Sequence, residues 1–134
     1  MKKSIVFYLL SFVFVAIAFP VMCFAQKAYV TTKYQGISNK LTVTLNVADG
    51  YFSGNEIKLY NKASRNTSRF LPEKDGVDET KPTKFYHFSP TGKKFTDYFL
   101  VDSLQENYEE MPKQFITKYF IRSNSLKLVL KRKD

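Results

Sequence analysis

His87 is the only imidazole in the chain and Cys23 the only thiol. That inventory bounds the chemistry before any fold is considered. A metal site built on two or more imidazoles is excluded. So is a Cys–His nucleophile pair in the folded region, because Cys23 sits in an apolar N-terminal stretch. A Ser–His–Asp arrangement would have to recruit His87, which lies between Tyr86 and Phe88 with no nucleophile motif beside it. Its reading is a strand residue with a satisfied ring. Glu109 and Glu110 are neighbours that would point apart on a helix, as a solvated face does. Asp75, Asp78 and Glu79 lack the alternating oxygen ligands of a calcium loop and read as a solvated acidic turn. No glycine-rich phosphate loop is present. The sequence therefore predicts no catalytic residue, no metal site and no cofactor, and it argues against an enzyme. A hydrolase using His87 is the least favoured function.

Basic residues offer more. The formal charge is +9, of which Lys2 and Lys3 belong to the N-terminal leader, leaving +7 on the rest. Such a balance favours polyanions: lipid headgroups, acidic polysaccharide or an acidic protein, with nucleic acid not expected as the natural partner. The cations gather at Lys93 and Lys94 and again at Lys127, Lys131 and Arg132. One reading makes these five a single anion-binding patch. The other makes the C-terminal lysines guards of an edge strand against aggregation. Phe and Tyr total 22 with no Trp, and six of those rings fall in the leader. The rest are read mainly as core, because a sugar-stacking platform without tryptophan is weak.

The leader itself has a basic head, Met1-Lys2-Lys3, an apolar run from Ile5 to Phe19 and small residues at its exit, the pattern of a secretory signal peptide. Cleavage after Ala25 gives residues 1–25 as signal and 26–134 as the mature chain, exported to a periplasm or beyond. Two rivals use the same residues: a lipid anchor on Cys23, against which Met22 is too large, and a retained membrane anchor. Membrane contact is expected only through this leader, if it is uncleaved or lipidated. Without Cys23 the mature chain has no disulfide and must fold by packing alone.

What positions these residues is a series of strands. Leu41 to Val47 alternates apolar and polar residues, the period of a strand with one buried face, and stops at Asp49-Gly50. Strands are also expected at Ala28–Tyr34, Glu56–Asn61, Phe85–Phe88, Phe95–Val101, Gln114–Arg122 and Leu126–Lys133. Ser89-Pro90-Thr91-Gly92 fits a type I turn between two of them. Residues 62–84 hold few apolar side chains and read as one long surface loop. Ser103 and Glu106 have the spacing of a capping box. Leu104, Tyr108 and Met111 follow at helical spacing, so a short helix is expected before the final hairpin.

These elements predict one all-β domain, an antiparallel β-sandwich or small barrel of six or seven strands, with α+β as the alternative if the helix begins at Asp97. The function expected of it is an exported, non-enzymatic binding or interaction module of a bacterial cell envelope. A strand edge or the 62–84 loop would meet an unidentified protein or polyanionic partner. A barrel carrying a small apolar ligand is the alternative.

Overall fold

The computed structural model describes residues 29–73 and 78–134. The leader at 1–25, with Cys23 and the cut after Ala25, lies outside the described residues, as does Asp75. Eight strands follow one another: β1 Thr31–Ser38, β2 Leu41–Ala48, β3 Glu56–Asn61, β4 Asn66–Pro72, β5 Thr83–Phe88, β6 Lys94–Val101, β7 Gln114–Ile121 and β8 Asn124–Arg132. Each is antiparallel to the next, and β8 returns to β1, so the sheet is a closed barrel. The all-β antiparallel expectation holds, with the barrel rather than the sandwich realised.

The alternation in β2 shows how the sequence builds the wall. Val43, Leu45 and Val47 are buried, while Thr44 and Asn46 between them are half exposed. Register carries the pattern round the barrel. Leu45 pairs with Ile57 and Ile57 with Phe70, all fully buried. An eight-stranded barrel is just wide enough for its own side chains to fill. Here Tyr34, Phe70, Phe85, Phe99 and Leu130 occupy the inside at 0% exposure. Among the described residues the core runs from Tyr34 to Leu130. Along β2 and β8 apolar side chains point in and mostly polar ones point out. Among the described residues no helix is long and apolar enough to cross a membrane.

Two expectations are corrected. First, the 62–84 span is not one loop, because β4 occupies Asn66–Pro72. Phe70 is the only large residue that β4 buries, so its own alternation is faint. Pairing with β3 on one side and β5 on the other makes it a strand. Second, residues 102–113 form no helix, which also removes the α+β alternative. Ser103 sits at φ +57°, whereas a helix N-cap needs an extended backbone. The peptide groups of this segment bond the β2–β3 connection instead. Gly50 N–H donates to Glu106 O at 3.0 Å, and Tyr108 N–H donates to Asp49 Oδ1 at 3.0 Å. Leu104 is still fully buried, with Tyr108 and Met111 against the core, so the apolar stripe closes the barrel end without being helical. The one helical turn among the described residues is a 3-10 turn at Phe52–Gly54.

Closure is narrow. β1 and β8 are in register only at Tyr34–Arg132 and Gln35–Lys131, extended by Lys133 N–H donating to Lys33 O at 2.8 Å. Just beyond, Gly36 lets the two backbones pass closely. A Cβ there would stand 2.7 Å from Leu130 Cδ2 and 2.8 Å from the Val129 carbonyl oxygen. Leu130 could rotate, but the carbonyl is backbone and cannot move without opening the seam. Gly36→Ala is therefore expected to destabilise the fold by about 1–3 kcal/mol, the usual range for overpacking. Urea denaturation of wild type and variant checks this.

Candidate anion-binding surface

The meander places β1–β2, β3–β4, β5–β6 and β7–β8 turns at one end of the barrel and the three other connections at the opposite end. Carboxylates are divided the same way. The turn end carries Lys40, then Lys62 and Arg65, then Lys93 and Lys94, then Arg122, and residues 39–40, 62–65, 89–93 and 122–123 contain no Asp or Glu. Carboxylates crowd the other end: Asp49 on one connection, Glu73, Asp78 and Glu79 on the next, and Asp102, Glu106, Glu109 and Glu110 on the third. A net positive charge thus becomes a polar distribution, strongest at the four turns.

Local chemistry holds these cations in place. Asn61 Oδ1 accepts the Ala63 amide at 2.9 Å, and Lys62 N–H donates to Lys40 O at 2.7 Å, tying two neighbouring turns together. Ser89 O accepts the Gly92 amide at 2.9 Å and Ser89 Oγ accepts that of Lys93 at 3.0 Å, fixing the tight turn expected there. Each turn also has one left-handed residue. Asn39 and Gly92 suit that region, but Arg65 at φ +55° and Arg122 at φ +54° do not. A side chain there costs roughly 1–2 kcal/mol that glycine avoids. Turn formation does not account for arginine at these two positions.

From Lys94 the basic surface runs down the outer wall of β5, β6 and β7. Lys94 Nζ lies 3.5 Å from the Tyr86 ring centroid, and Lys84 Nζ lies 5.0 Å from Tyr86 and 4.0 Å from Tyr98. Tyr98 in turn stacks on Phe120, with centroids 4.9 Å apart and planes at 11°. Cation–aromatic contact holds the ammonium groups over the rings, which leaves those ring faces covered and unsuited to stacking on bases or sugars. One row further along, Lys118 stands directly opposite Lys127 on the outer wall. Like charges in that relation destabilise a sheet.

The five sequence-predicted patch residues do not form one patch. Lys93 and Lys94 belong to the turn end and Lys127 to the adjoining wall. Lys131 pairs with Gln114 near the opposite end, and Arg132 there donates from Nη1 to Met111 O at 3.4 Å. Edge protection does not account for Lys131 and Arg132, which pair with β1, whereas Lys127 lies on the stretch of β8 that pairs with β7 alone. β1 covers the β8 edge only at Lys131 and Arg132. Lys40, Lys62, Arg65, Lys84, Lys118 and Arg122 were missed because they are far apart in sequence. A cation in every expected turn was the available signal.

His87 points inward at the turn end. Its Nδ1 lies 2.7 Å from Asp97 Oδ1, and Tyr119 O–H donates to Asp97 Oδ2 at 2.8 Å. The ring stacks on Phe70 at 4.7 Å and meets Phe95 at 4.4 Å. A shift of register between Tyr86 and Phe88 lets β6 bring Asp97 to this position. No serine or cysteine joins the group, and among the described residues no three acidic or imidazole side chains assemble for a metal. Elsewhere at this end, an open depression of about 480 Å³ is lined by Ser38, Asn39, Lys40, Leu41 and Leu126, where β1 and β8 part. The chain matches no known protein family, no curated protein and no solved structure.

Burial and the hydrogen bond to Asp97 raise the Tyr119 phenol well above its ordinary value of 10.0. Burial likewise raises Tyr108, to about 12, against a lowering bond from the Gln105 amide. Unfolded tyrosines ionise first as pH rises, so the stabilisation is complete below pH 10 and lost as pH climbs through about 12. Thermal midpoints measured between these limits are expected to fall with pH, and less steeply in Tyr108→Phe and Tyr119→Phe.

Proposed function

We propose that this chain is an exported, non-enzymatic binding module that recognises a polyanionic component of a cell envelope through the turn end of its barrel. The observation that carries this reading is the division of charge, with six cations and no carboxylate on the four turns against a carboxylate-rich opposite end. Arg65 and Arg122 support it, because arginine stands there where the backbone favours glycine. Like-charged Lys118 and Lys127 on the adjoining wall extend the same demand for an external anion.

The carrier reading is weaker, because the rings of Tyr34, Phe70, Phe85 and Phe99 take the space a ligand would need. A hydrolase reading is weaker still, since His87 and Asp97 meet a tyrosine and no activated nucleophile.

Retention on immobilised heparin tests the proposal. Binding should weaken steeply as salt rises, because screening removes attraction between exposed charges. Arg65→Gly with Arg122→Gly should lower the eluting salt concentration while the thermal midpoint stays level or rises, since both changes relieve a left-handed side chain. Retention indifferent to salt and to these variants would sink the reading.

A further inference from the structure

We infer that the turn end docks on the surface of an anionic phospholipid bilayer, with apolar side chains entering the lipid beside the cations. This rests on the polyanion reading and names the anion. Beside each of the four turns stands one large apolar or aromatic residue that the fold leaves in water: Ile37 at 64% exposure, Tyr60 at 39%, Phe95 at 40% and Ile121 at 46%. Ile37 precedes the Lys40 turn, Tyr60 precedes Lys62 and Arg65, Phe95 follows Lys93 and Lys94, and Ile121 adjoins Arg122. Phe95 meets the His87 ring on one side; Ile37, Tyr60 and Ile121 are not part of the buried core. Ile37 and Tyr60 flank Thr42 on the outer wall, in one row across β1, β2 and β3.

A soluble polysaccharide or nucleic acid would use the cations and gain nothing from exposed isoleucines. A bilayer uses both, because headgroup phosphates attract lysine and arginine while the interface takes up apolar side chains and the amphipathic ring of tyrosine. Cations and exposed apolar side chains thus recur together at all four turns, with Ile37 and Tyr60 on the outer wall beside them. The one carboxylate inside that end, Asp97, is engaged by His87 and Tyr119 and does not oppose it.

The test uses residues 26–134, which contain the whole closed barrel, with vesicles of phosphatidylcholine alone or mixed with phosphatidylglycerol. Sedimentation should show binding only to the mixed vesicles, weakened by salt. Ile37→Ser with Ile121→Ser should reduce vesicle partitioning by roughly tenfold, in line with lost apolar burial, and leave heparin retention unchanged. Ile121→Trp should be quenched by brominated lipid, and Val30→Trp, at the opposite end, should not. Heparin binding without vesicle binding overturns the bilayer inference and leaves the polyanion reading standing. Vesicle binding with Ile121→Trp unquenched does the same. Failure to bind either anion removes both.

Discussion

Closure of the sheet on itself is the constraint from which the other properties of this barrel follow. With no disulfide available among the described residues, the fold must bury enough apolar surface to stand alone, and β1 meeting β8 seals that surface from water. The contact is short, two residue pairs and one further backbone bond, and it depends on Gly36 having no side chain. Once it forms, every strand has two neighbours. Little unpaired edge remains, confined to the stretch where β1 and β8 part, and the interior is taken up by rings. The surface left exposed is the outer wall and the two ends.

The two ends are built differently, and this difference gives the molecule its polarity. One end has only tight turns, each fixed by local hydrogen bonds and each carrying cations. The other has longer connections that fold over the barrel mouth, with Leu104, Tyr108 and Met111 as its apolar cover and carboxylates on its surface. Backbone bonds from this cover to the β2–β3 connection replace those a helix would have made. The turns and the covered opposite mouth together place the charge on folded backbone rather than on tails.

His87 illustrates how a polar cluster can serve the fold. The imidazole lies between Phe70 and Phe95, and Asp97 receives both its Nδ1 and the Tyr119 hydroxyl. No buried side-chain nitrogen or oxygen among the described residues is left without a partner. A fully satisfied network of this kind fixes which residues of β5, β6 and β7 face inward where the register shifts, at a place where apolar alternation alone would be ambiguous.

By itself, the sequence determined the elements whose signal is local. Alternation in Leu41–Val47, the Ser89–Gly92 turn and the apolar spacing of Leu126, Leu128 and Leu130 all correspond to what folds, because period and turn chemistry act over a few residues. Tertiary structure decided the remainder. β4 exists because β3 and β5 flank it, and Ser103 to Met111 is no helix because Gly50 and Asp49 claim its backbone groups. The cationic end could not be read linearly either, since only the closed meander brings Lys40, Arg65, Lys94 and Arg122 to one end and carries Arg132 to the other. Charge proximity is a property of strand order and register, which depend on contacts between residues far apart in the chain.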